Sequence, residues 1–134
     1  MKLINKVMVI SFAILTIFSC LNDDEDLNNK SHFTPPTWIH GKWGALQEPQ
    51  LYEFRFDYNN FYLNSGGEIS YNELINSTNS SGQDKMIVEE EFDRNSYFFT
   101  ISSNSTKNQF KFKKVSQSKI IYIYNGVDIE LFLK

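Results

Sequence analysis

From residue 52 onward the chain alternates. Tyr52, Phe54, Phe56 and Tyr58 interleave with Glu53, Arg55 and Asp57. Tyr97, Phe99 and Ile101 interleave with Phe98 and Thr100, and Phe110 and Phe112 with Lys111 and Lys113. Val127, Ile129, Leu131 and Leu133 are opposed by Asp128 and Glu130. A period of two places successive side chains on opposite faces of an extended strand, which a helix cannot do. Helical spacing is hard to find after residue 37, so the pattern restricts the chain to an all-β fold.

Turn residues divide the alternating runs. Asn59-Asn60, Gly66-Gly67 and Asp93-Arg94-Asn95 punctuate the strands, and Asn125-Gly126 is the strongest short hairpin signal, a type I′ turn. Glu68 to Leu74 and Lys85 to Phe92 read as further strands, whereas 76–84 and 102–108 are polar and read as exposed loops. Consecutive strands this close in sequence pair with their neighbours. The expected fold is an antiparallel up-and-down meander of about eight strands, closed into a small barrel that removes both free edges. A β-sandwich is the alternative.

The first residues have a different character. Lys2 and Lys6 precede an apolar run from Val7 to Phe18, broken only by Ser11 and Thr16. That run suits the roughly 7–15 residue core of a secretory signal and falls short of the about 20 needed to span a bilayer. Ile17-Phe18-Ser19-Cys20 resembles the lipobox of bacterial lipoproteins, with Phe18 bulkier than the usual occupant. The resemblance implies a signal peptide over 1–19, cleavage before Cys20, and acyl chains on Cys20 that anchor the protein in a membrane. Each buried CH2 of such chains contributes about 0.8 kcal/mol, so two or more hold firmly. Asp23-Asp24-Glu25-Asp26 follows at once. It resembles the surface-export signal of some Gram-negative lipoproteins; the plainer reading is a solvated acidic tether. The expected location is the outer membrane, at the cell surface rather than the periplasmic face. The tether is expected over 20–36, ending at Pro35-Pro36, with the folded domain over 37–134.

Composition limits the function classes. The chain has 13 basic and 16 acidic residues; without Lys2 and Lys6 the balance is 11 to 16. Such a chain lacks the basic footprint of a nucleic-acid binder. Cys20 is the only cysteine, so no disulfide framework supports the domain. Stability must come from packing, and 12 Phe, 7 Tyr and 2 Trp supply the means, each buried ring removing roughly 150–250 Å² from water.

Trp38-Ile39-His40-Gly41-Lys42-Trp43 opens the domain. Gly41-Lys42-Trp43 resembles the Gly-x-Trp element on the first strand of lipocalins and related calycin barrels. The resemblance implies that Gly41 and Trp43 form a plug at the closed end of a small barrel. This domain is shorter than a lipocalin. Its last strand lacks the arginine that packs over the family's tryptophan, and Lys134 is the only basic residue there.

Catalytic chemistry is sparse. His32 falls in the tether and His40 flanks Trp43. Neither has ligands at zinc spacing or a nucleophile beside it, so no metal, cofactor or enzymatic activity is expected. Glu89 and Glu91 share a strand face and could pair as carboxylates, but a charge run on a strand is more often a solvated or edge-protecting face. Lys111, Lys113, Lys114 and Lys119 form a basic counterpart. Tyr52, Phe54, Phe56, Tyr58, Tyr97, Phe99, Phe110 and Phe112, with Phe61 and Tyr122, are the candidates to line an apolar cavity; eight strands enclose either a filled interior or room for one small ligand. The expected function is binding of a small apolar or amphipathic ligand. The alternative is a non-enzymatic accessory module that contacts another envelope protein through its loops or exterior.

Overall fold

The computed structural model describes residues 32–46, 52–82 and 84–134. The signal peptide, Cys20 and the acidic run therefore lie outside the described residues. Nine strands make one antiparallel sheet: β1 (Gly41–Gly44), β2 (Glu53–Phe56), β3 (Phe61–Asn64), β4 (Glu68–Ser70), β5 (Ile87–Phe92), β6 (Ser96–Ser102), β7 (Lys107–Lys114), β8 (Lys119–Tyr124) and β9 (Val127–Leu133). Their order is β4-β3-β2-β1-β9-β8-β7-β6-β5. Two meanders thus meet where β1 pairs with β9, through Trp43↔Leu133 and Gly44↔Phe132. The edges of the sheet, β4 and β5, fall in mid-chain. The sheet curls into a half-barrel, so the expected all-β, up-and-down, barrel-like fold is what the chain adopts.

Packing across the concave side explains the curl. β2 and β7 are separated in the sheet by β1, β9 and β8, and neighbouring strands lie about 4.8 Å apart. Yet the rings of Phe56 and Phe112 are centred 5.2 Å apart, and those of Phe54 and Phe112 also 5.2 Å. Phe61 on β3 meets Phe99 on β6 at 4.9 Å. The sheet has folded over until its two halves touch through aromatic side chains.

The chain between β4 and β5 is not what the alternation suggests. Residues expected to extend a strand to Leu74 and then form a loop over 76–84 instead build α1 (Tyr71–Ser81). Ser70 caps it, its hydroxyl accepting from the Glu73 amide at 3.3 Å, and Gly82 ends it in the left-handed region at φ 72°. Ser70-Tyr71-Asn72-Glu73 has the capping-box spacing. Tyr71, Ile75 and Asn79 recur every four residues and share one face. Ile75 is fully buried, the Tyr71 ring lies tilted against Phe61 at 4.9 Å, and the Asn79 amide side chain exchanges two hydrogen bonds with the backbone of Met86. Polar residues therefore sit in the helix because its anchors are few but well placed.

The other polar loop is also shorter than expected, since β7 already begins at Lys107. Asn125-Gly126 forms its turn with both residues at positive φ, 49° and 78°. Asn60, buried in the β2–β3 turn, donates to the Ser70 hydroxyl at 2.8 Å and accepts from the amides of Phe61 and Asn72. It ties that turn to the start of α1.

Residues 33–36, expected in the tether, pack with the domain. Phe33 is fully buried among the core residues, its ring 5.3 Å from Phe99 and 5.9 Å from Phe61. A short 3-10 turn, Thr37–Ile39, then leads into β1.

Candidate functional site

The aromatic residues proposed to line a cavity fill it instead. Phe54, Phe56, Tyr97, Phe99, Phe110 and Phe112 are buried and touch one another. Phe99 and Phe110 are stacked at 4.9 Å, Tyr97 and Phe99 meet at 5.1 Å, and Phe112 and Tyr122 at 5.1 Å. Tyr52 is half-buried at the edge of this cluster, 5.6 Å from Tyr122 and 6.0 Å from Tyr124. Tyr58 is a correction. It is 76 % exposed, because β2 ends at Phe56 and the chain turns through 57–60. Tyr58 thus never reaches the inner face, although its spacing continues the alternation.

Gly41 and Trp43 occupy the start of β1. Trp43 is 1 % exposed, and its indole donates to the Ile39 carbonyl at 2.8 Å. Gly41 adopts φ 126°, where a Cβ would stand 2.8 Å from Leu133 Cδ1. Lys134 donates to the Ala45 carbonyl. His40 is bonded through Nε2 to the Pro35 carbonyl at 3.0 Å, and His32 is exposed. Among the described residues, no group of three or more His, Cys, Asp or Glu could hold a metal ion, and no helix is long and apolar enough to cross a membrane.

The glutamate run splits by strand parity. Glu89 and Glu91 are exposed on the outer face, whereas Glu90 turns inward opposite Phe99. Its carboxylate accepts from the Tyr97 hydroxyl at 2.5 Å and from the amide and hydroxyl of Thr34 at 2.7–3.1 Å. Burial, then the neighbouring Glu90 charge, pushes the Tyr97 phenol far above its ordinary value, so Tyr97 stays a proton donor. Glu90 thereby holds the segment around Phe33 to the inner side of β5. Phe33 and Glu90 are the residues that alternation alone missed. The one available signal was an isolated large apolar residue in a polar stretch.

One concave feature among the described residues lies between β7 and β8. Their pairing runs Lys114↔Ile120, Lys113↔Ile121 and Phe112↔Tyr122, then stops, while β7 stays paired to β6 as far as Lys107. β8 reverses at Asn125-Gly126, so β6 and β7 project past it as a step in the rim. The notch is a cleft of about 540 Å³, within the range of ligand sites, floored by Phe110 and Tyr122 and flanked by Phe98, Ile123, Lys107 and Lys111. A second hollow of about 490 Å³ shares Phe98 and Lys111 but is bounded by Glu91 and Asp93, so the basic character ends at Lys111. Lys113 and Lys114 lie in the paired part of β7, and Lys119 is bridged to Glu130.

Comparison of the chain with protein-family models, curated proteins and solved structures finds no match.

Proposed function

We propose that the protein is a non-enzymatic interaction module, held at the outer membrane by acyl chains on Cys20, that contacts another envelope protein through its exterior. The observation that carries this reading is the filled interior. The rings that would have surrounded a ligand meet each other at 4.8–6.4 Å, which favours contact through the exterior. The lipobox-like Ile17-Phe18-Ser19-Cys20 and the acidic Asp23–Asp26 support surface anchoring. Binding of a small amphipathic ligand is the second reading; the aromatic floor of the β7–β8 cleft favours it.

Mild crosslinking of cells followed by purification tests the first reading: one envelope protein should be captured reproducibly, and an uncrosslinked monomer throughout would refute it. Native mass spectrometry of the purified chain tests the second, which needs a retained small molecule. Cys20→Ser should move the protein to the soluble fraction; if it stayed in carbonate-washed membranes, the lipid anchor would be wrong.

A further inference from the structure

The cleft between β7 and β8 opens where the aromatic core comes nearest the surface. Phe110, on its floor, is 9 % exposed, against 0–1 % for the other core phenylalanines. Behind Phe110 the interior is full, since the rings of Phe61 and Phe99 lie 5.0 and 4.9 Å from it. Three phenol rings cluster at the opening. Tyr52 lies 5.6 Å from Tyr122 and 6.0 Å from Tyr124, and Tyr122 and Tyr124 are 6.0 Å apart. Tyr122 and Tyr124 line the cleft, and Tyr124 is 45 % exposed. Three amide side chains, those of Asn108, Gln109 and Asn125, line it as well. Lys107 and Lys111 complete the set, and no carboxylate is among the described lining residues.

These groups match the surface of a sugar ring, which carries C–H groups on its faces and hydroxyls round its edge. The negative faces of aromatic rings attract the C–H groups. Each hydroxyl both donates and accepts, and a side-chain amide answers with two donors and an acceptor oxygen. Burial, with Tyr52, Tyr124 and Tyr71 nearby, raises the Tyr122 phenol to about 12, so it stays a neutral hydroxyl at neutral pH. Two lysines with no carboxylate in the lining favour an anion. An acyl chain fits poorly, because the packed rings stop it at Phe110. A cleft of about 540 Å³ is large enough for a compact ligand, and a mono- or disaccharide is one. We propose that the β7–β8 cleft binds an acidic saccharide, its apolar face against Tyr124 and the Phe110–Tyr122 floor, its hydroxyls on Asn108, Gln109 and Asn125, and its carboxylate on Lys107 and Lys111. This rests on the small-ligand reading of the cleft and names the ligand class.

The test titrates the full chain in lipid nanodiscs with digalacturonate and with sialyllactose, and with lactose, laurate and benzoate for comparison. NMR reads the side-chain amides of Asn108, Gln109 and Asn125. At least one acidic sugar should shift these amides saturably and bind more tightly than lactose. Lys107 and Lys111 are exposed, so Lys107→Gln with Lys111→Gln leaves the core untouched. That double variant should weaken the acidic sugar by about tenfold or more, as loss of a charge-assisted contact does, and leave lactose unchanged. Tyr124→Ala should weaken both kinds of sugar by about tenfold. Nanodiscs containing lipopolysaccharide, whose inner sugars are carboxylated, distinguish the source. A membrane-borne sugar would shift the cleft amides before any free sugar is added, and a soluble one only afterwards. Amides that respond to no acidic sugar, laurate or benzoate binding as tightly as the sugars, or an affinity unmoved by the lysine double variant would each overturn the proposal. If native mass spectrometry then found a retained molecule of another class, the sugar assignment would fall while the small-ligand reading stood.

Discussion

Gly41 shows how much can depend on a missing methyl. Its φ of 126° and the 2.8 Å approach of Leu133 to a would-be Cβ both penalise any side chain, just where β1 joins β9. Gly41→Ala should cost about 1–3 kcal/mol through backbone strain, read as a lower midpoint in urea. An unchanged midpoint would mean that the β1–β9 junction yields freely. The tyrosines make a pH prediction. Burial, with smaller contributions from Tyr52, Tyr124 and Tyr71, lifts the Tyr122 phenol from 10.0 to about 12. Between those values the unfolded chain loses the proton while the folded chain keeps it, so the folded state binds more protons. The stability contributed by Tyr122 is complete below pH 10 and is lost as pH rises towards 12. Urea midpoints should decline across that window, and Tyr122→Phe should flatten the decline. At this scale the sequence was a good guide to core membership, since Phe54, Phe56, Phe99 and Phe112 follow from alternation. It failed at Tyr58, because alternation persists one step beyond the end of the strand.

Among the elements, α1 is the instructive one. A segment reading Asn-Ser-Thr-Asn-Ser-Ser has poor helix propensity and no apolar stripe. It folds as a helix because Ser70 caps it, Gly82 closes it, and Ile75 and Tyr71 bury one face. Tertiary packing supplies what propensity lacks. Ser70→Ala should therefore cost about 1 kcal/mol, the usual value of a cap, plus the lost bond from Asn60. A chemical-denaturation ΔΔG near zero would show that the cap contributes nothing. The edge strands beside α1 differ. β4 is only three residues long and β5 carries Glu89 and Glu91 outward, both common devices against unwanted pairing.

For the molecule as a whole, the open question was how a curled sheet of nine strands closes its interior without full pairing around the rim. Aromatic rings fill the concave side, and Phe33 enters from outside the sheet, held by Thr34 on Glu90. Phe33→Ala should therefore destabilise the entire domain by about 3–5 kcal/mol, as removal of any buried phenylalanine does. A loss confined to local exchange near residue 33, with the global midpoint intact, would show the segment to be a detachable strap. The sequence by itself determined most of the strands, the pairing of neighbours through tight turns such as Asn125-Gly126, and the inward face of the aromatic strands, because period and turn chemistry are local properties. Only the tertiary structure decided that the interior is full, that α1 is a helix, that the domain begins before Pro36, and that β7 outruns β8. Each of these depends on which distant side chains meet and on how strands of unequal length line up, and neither is encoded within any one stretch of chain.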